Sequence, residues 1–204
     1  MPRVSQAQAK LNRQRVIEVA SSLFRERGLH GVSVADIMAG AGLTHGGFYG
    51  QFASREALVA EAFESALDEE RRGDMKDLRA TYLSLAHVRS PGQGCPLAAL
   101  ANDVAREPPG SEVRTRFTRG VRQLAGLLGG LMPTMSEARR RRRALANLST
   151  MVGAVILARA VDDQDLADDL LQAAAEACAG GTEAPGDVGG GQEGCPGPPR
   201  ANVS

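Results

Sequence analysis

The chain has 204 residues, of which 43% are apolar, and its 24 basic and 24 acidic residues give a net charge of +0. That length suits one or two domains with a buried core, and the apolar share argues against general disorder. No apolar run approaches the roughly 18 residues a bilayer crossing needs. Met1–Lys10 has no apolar core of a secretory signal, so the expectation is a cytoplasmic protein with no membrane role. Cys95, Cys178 and Cys195 are odd in number and lack Cys-x-x-Cys spacing, and His30, His45 and His87 have no ligand spacing. Neither a disulfide framework, a metal site nor a cofactor is expected.

The charge is unevenly placed. Residues 1–55 carry four more basic than acidic side chains, whereas 162–176 hold Asp162, Asp163, Asp165, Asp168, Asp169 and Glu176 with no base. A basic front and an acidic rear point to an anionic partner at the front.

The apolar residues recur at helical spacings, and no alternating strand pattern bounded by turns occurs. The first predicted helix runs from about Asn12 to Arg27, with Val16, Ala20, Leu23 and Phe24 on one stripe and Gly28 placed to end it. Ser33 with Asp36 three residues later reads as an N-cap with a capping-box partner. The helix it starts ends near Ala41, and Gly42 suits the left-handed turn that follows. Thr44 is placed to cap a third short helix over about His45 to Gln51. Ser54 starts a fourth, with Leu58/Val59, Ala62/Phe63 and Ala66/Leu67 advancing by four. Further helices are predicted near 76–89, 96–106, 111–131, 136–160 and 163–178. They are separated by Ser90–Gly94, Pro108-Pro109-Gly110 and Met132-Pro133. Residues 180–204, rich in Gly and Pro, are expected to form a disordered tail.

Two short helices joined by Gly42-Leu43-Thr44 have the pattern of a helix-turn-helix over 33–52. Ile37, Met38, Leu43 and Phe48 are placed to pack the pair against the first helix, leaving His45-Gly46-Gly47 outward. In such motifs the start of the second helix enters the DNA major groove. Each of Gly46, Gly47 and Gly50 costs a helix about 1 kcal/mol relative to Ala, and close backbone approach to a nucleic acid is a reason to carry them. Ser33 and Thr44, at helix starts, suit phosphate oxygens. Tyr49 offers a phenol at the groove edge. Arg55 is a cation in a first helical turn, a mismatch that a phosphate would resolve. His45 and Gln51 are the candidates for base edges.

The stretch from Arg15 to Leu58 resembles the DNA-binding domain of TetR-family transcriptional regulators. The residues that carry the likeness are Ile17, Ala20, Leu23, Phe24, Gly28, Val34, Ile37, Ala41-Gly42-Leu43-Thr44, Gly47-Phe48-Tyr49, Phe52, Ser54-Arg55-Glu56 and Leu58. The resemblance implies an all-α protein. A three-helix helix-turn-helix domain over 10–70 would precede a helical ligand-binding and dimerisation bundle over 76–179. It implies a homodimer built by the last two long helices. By position it puts Ser33, Thr44, Tyr49 and Arg55 on phosphate, and Ala35, His45, Gly46, Gly47 and Gln51 nearest base edges. Gly50 departs from the family, which often has a larger residue there, and thins the contact surface.

The second half is less specific. Leu83, Phe117, Leu124, Met132, Met151 and Val155 are candidate cavity residues. Pro96 suits a first helical position, making Cys95 the N-cap, where the helix dipole favours a thiolate. His87, Arg89 or Arg106 would help if the fold brings them close. The Gly94-Cys95 pair resembles one in a TetR-family branch that includes sensors of electrophiles or oxidants. Arg139–Arg143 encircle a helix and so read as solvated or salt-bridged charge. The Ala-rich segments Leu145–Val161 and Leu166–Cys178 suit close helix packing on a partner. The expected protein is not an enzyme. It is a repressor that binds a palindromic double-stranded operator and is released by an unknown small molecule or by thiol modification. The rival readings are a cysteine-dependent enzyme and a helical interaction module.

Overall fold

The computed structural model describes residues 5–72, 78–132 and 134–179, with backbone alone for 70–72. The expected tail at 180–204, including Cys195, lies outside the described residues. Among those residues are nine α-helices and no strand. They are α1 (Gln6–Arg27), α2 (Val34–Gly40), α3 (Arg55–Arg72), α4 (Leu78–Tyr82), α5 (Leu85–Arg89), α6 (Pro96–Arg106), α7 (Glu112–Gly130), α8 (Glu137–Ala160) and α9 (Gln164–Ala179). Two 3₁₀ turns, His45–Gly47 and Pro91–Gln93, lie between them.

Local chemistry sets most boundaries. Ser5 caps α1 by accepting the Gln8 N–H at 3.2 Å, so the helix starts earlier than its apolar stripe. The added turn is polar and exposed, which leaves no amphipathic signal to read. Gly28, at φ 78°, ends α1 and returns its N–H to Phe24 O. Ser33 and Asp36 form a complete capping box. The single helix expected over 76–89 is instead two among the described residues. The Ser84 hydroxyl accepts the His87 N–H and donates to Thr81 O at 2.7 Å, so it caps α5 and ends the run through α4. Cys95 is the N-cap of α6 with Pro96 at its first position.

One buried core runs through the described chain. In the N-terminal part α1 and α2 close on Phe24, Ile37, Met38, Phe48, Phe52 and Leu58. Each large apolar side chain buried this way contributes roughly 1.5–3 kcal/mol. Helix α3 packs on both α1 and α7 and so belongs to both parts. At its contact with α7, a Cβ on Gly120 would lie 2.8 Å from Leu67 Cδ1, so glycine lets the two helices approach without displacing that side chain. Helices α8 and α9 pack side by side. Arg79 donates to Cys178 O and Arg143 to Ala177 O, placing two cations on the carbonyl end of α9. Arg143 therefore has a structural partner, whereas Arg139, Arg141 and Arg142 of the same run face solvent. No helix among the described residues is long and apolar enough to cross a membrane.

Candidate nucleic-acid interface

The helix-turn-helix is held from beneath and open above. Met38 and Phe48 are buried, and Gly42 takes the turn at φ 71°. The element after the turn is not the α-helix expected over His45 to Gln51. It is a 3₁₀ turn over His45–Gly47 followed by further turns, with Gly47 N bonded to Thr44 O and Phe48 N to His45 O. Three glycines in seven residues remove enough helix propensity to explain the tighter, shorter form. Thr44, His45, Gly46 and Tyr49 stand exposed on its outer edge, Tyr49 at 71%. The Thr44 hydroxyl makes no capping bond. Tyr49 is held edge-on to Phe48 at 5.2 Å. A Cβ on Gly46 would meet nothing within 4 Å.

Other predicted contacts turn inward. Arg55 donates to Leu29 O and Val32 O and lies over the Phe24 ring, 5.6 Å from its centroid. The mismatch between its charge and the helix dipole is thus answered by two backbone carbonyls of the α1–α2 loop. The Gln51 amide donates back to Gly47 O at 3.3 Å. The Ser33 hydroxyl donates to Asp36 Oδ2 at 2.6 Å, and these bonds hold the Asp36 carboxyl below its ordinary pKa. Ala35 is exposed in the first turn of α2, and Gly47 is half-buried. The basic front is also partly internal. Arg13 pairs with Glu61 at 2.7 Å, and Arg25 is buried. Lys10, Arg15 and Arg27 remain exposed.

The N-terminal part is stitched to the rest along α1. Arg25 donates to Ser21 O, to Gly94 O at 3.0 Å and to Glu69 at 3.0 Å. Leu29 N donates to Asp103 Oδ2 of α6 at 2.7 Å. A Cβ on Gly92 would lie 2.3 Å from Glu26 Oε1, so the loop before α6 lies close against the side chains of α1. Beside these contacts lies a cavity of about 660 Å³, walled by α1, α3 and the segment 78–95. Cys95 lines it and is 2% exposed. His87 Nε2 accepts the Cys95 N–H at 2.9 Å, so the ring proton rests on Nδ1 and is donated to Tyr82 O at 2.7 Å. Burial, with Arg159 nearby, lowers the His87 pKa and keeps the ring neutral. Arg159 reaches from α8 to His87 O and Val88 O, within electrostatic range of Cys95.

Residues 16–62 match the family model described as bacterial regulatory proteins, tetR family. Residues 16–62 thus form a TetR-type DNA-binding domain. Relatives agree. It is 41% identical over 68 residues to the HTH-type transcriptional repressor KstR2 of Mycobacterium tuberculosis, covering 33% of this chain and 34% of that one. It is 30% identical over 117 residues to the HTH-type transcriptional repressor DhaR of a Mycobacterium species, covering 52% and 58%. The chain thus spans about a third of the length of the first curated relatives it matches. The likeness in fold extends further. A TetR transcriptional regulator from Chloroflexus aurantiacus superposes with a TM-score of 0.69 at 26% identity, covering 85% of this chain and 97% of the other. The reduced form of NemR from E. coli superposes at 0.67 with 19% identity, covering 83% and 95%.

In the TetR-type domain the structure gathers Thr44, His45, Gly46 and Tyr49 on one outer edge. It ties Arg55, Gln51 and the Ser33 hydroxyl into the protein. Of the seven residues named from sequence for the effector site, Cys95 lines the 660 Å³ cavity, whereas Val155 is buried core and Met132 is half-buried against the core. Leu83, Leu124 and Met151 are core, and Phe117 is half-buried against Phe63 at 5.7 Å. Of Cys95's expected helpers, His87 touches its backbone, while Arg89 bonds Gln164 and Arg106 faces Asp103. Sequence reasoning missed Arg25 and Glu69. Arg25 follows Ile17 and Ser21 at intervals of four, on the buried face of α1, and that placement of a cation is the signal that was available.

Proposed function

We propose that this chain is a DNA-binding transcriptional repressor that works in the cytoplasm as a homodimer on a palindromic double-stranded operator. The carrying observation is the exposed edge Thr44-His45-Gly46 with Tyr49, backed by the buried Met38 and Phe48. Its outward backbone and hydroxyls suit base edges and phosphates. The repressor names borne by the relatives support the same reading. For the dimer, α8 and α9 each present an outward apolar stripe. On α8 it holds Leu145, Val152, Gly153, Ile156 and Leu157, and on α9 Leu166, Leu170, Ala173 and Ala177. A second copy of the same face buries them, setting two recognition edges about 34 Å apart on successive major grooves.

Release follows from a small molecule in the 660 Å³ cavity or from modification of the Cys95 thiol that lines it. Either acts only through different affinities for the DNA-bound and free forms. A cysteine-dependent enzyme is disfavoured, because both His87 ring nitrogens are bonded to backbone and neither is free to take a thiol proton.

A mobility shift against the duplex upstream of its own coding region tests the reading. We expect binding that weakens steeply with salt. Tyr49→Ala and His45→Ala should each lower specific affinity about tenfold. Absence of sequence-preferring binding refutes the repressor reading. Equal release by an oxidant in wild type and Cys95→Ser removes the thiol branch.

A further inference from the structure

We propose that the 660 Å³ cavity takes a small amphipathic carboxylic acid, whose anionic group is held by Arg25. The inference rests on the reading that an effector in this cavity releases DNA, and it names the effector's chemistry. The cavity wall mixes apolar surface from Ala66, Leu78 and Ala86 with one buried guanidinium. That guanidinium uses three of its five N–H donors among the described residues, on Ser21 O, Gly94 O and Glu69. Glu69 is the exchangeable partner. Its side chain is 40% exposed, against 3% for Arg25, so it can return to water while Arg25 cannot. A ligand carboxylate can take its place as a planar two-point partner, which a guanidinium binds better than any neutral group. His87 offers no competing anchor, since both its nitrogens are engaged, and it is neutral.

The consequence for DNA follows from position. Arg25 sits in the last turn of α1, and the same side chain holds the Gly94 carbonyl beside the Cys95 cap of α6. Turning the guanidinium toward a ligand loosens Gly94 O and Glu69 together. The Gly94 bond fastens the DNA-reading domain to the sensor side of the molecule, and the Glu69 bond ties α1 to α3, the helix shared by both parts.

The experiment titrates octanoate and, separately, octanol into the full-length protein by calorimetry. Wild type, Arg25→Lys and Glu69→Gln are compared, and the Arg25 Nε–H resonance is followed. We expect octanoate to bind at least about tenfold more tightly than octanol, a difference of about 1.4 kcal/mol. Glu69→Gln, whose amide oxygen can still accept from Arg25, should tighten octanoate severalfold by removing the competing carboxylate, with circular dichroism confirming that it folds. Arg25→Lys should weaken it about tenfold, with circular dichroism confirming the fold. Binding of neither probe, equal binding of both, or no gain in Glu69→Gln overturns the inference. A parallel shift assay separates the two readings. Octanoate bound with this pattern but without loss of DNA leaves the acid site standing and removes effector release. Release by octanol alone keeps effector release and overturns the acid site.

Discussion

Replacing Gly46 by alanine separates folding from DNA reading more cleanly than any other single change. Gly46 is exposed, its φ lies outside the left-handed region, and a Cβ there meets nothing within 4 Å. The protein itself therefore gives no reason for glycine. Alanine at such a position reduces the freedom of the unfolded chain and should stabilise by about 0.4–1 kcal/mol. For a chain of this size that is a rise in Tm of about 1–4 °C. The new methyl group points outward at the edge proposed to meet DNA. If the backbone approaches a base edge or phosphate there, displacement by a methyl should cost about tenfold or more in specific affinity, about 1.4 kcal/mol. Gly126→Ala is the control, because Gly126 on α7 is equally open but lies in the C-terminal part. It should gain stability by a similar mechanism, about 0.5–1 kcal/mol, with no change in DNA binding. Urea titration and fluorescence anisotropy of a labelled duplex, run on all three proteins, give both readouts. Unchanged DNA affinity in Gly46→Ala refutes the close-approach reasoning, and loss of stability refutes the open-space reading of the turn.

Three further outcomes are expected. Arg55→Ala removes bonds to Leu29 O and Val32 O and should cost about 2–3 kcal/mol in urea unfolding, as for charged hydrogen-bond donors to buried partners; a cost below about 0.5 kcal/mol, the range of ordinary surface changes, contradicts a structural role. The His87 pKa lies below its ordinary 6.5 in the folded chain. The unfolded chain thus binds a proton that the folded one refuses as pH falls through 6.5, so this contribution to stability is present above that pH and is lost below it. His87→Gln should flatten that part of the urea-midpoint profile between neutral pH and mildly acid pH, and an identical profile in the variant contradicts the assignment. A Cβ at Gly94 would sit 2.6 Å from His87 Nε2 and 2.8 Å from an Arg159 nitrogen. Gly94→Ala should therefore destabilise by about 1–3 kcal/mol, and adding His87→Ala should recover part of that loss; strict additivity of the two changes argues against the clash.

The sequence alone determined the helical class, the start of α2 at Ser33, the end of α1 at Gly28 and the Cys95 cap of α6. It also marked the helix-turn-helix and its resemblance to TetR-family domains. Each of these is written in neighbouring residues, as a cap, a glycine or an apolar spacing of three or four. The glycines that shortened the recognition element were equally visible, but their summed cost decides the helix type only against tertiary packing on Met38 and Phe48. Arg55 and Arg13 are polar residues at surface-like positions. Which of them faces solvent depends on carbonyls and rings that come from 20 or more residues away. The cavity shows the same division. Its wall joins Arg25 and Glu69 to the stretch Leu78–Cys95. No local pattern relates these segments, because empty volume is a property of how packed helices fail to meet and not of any one helix.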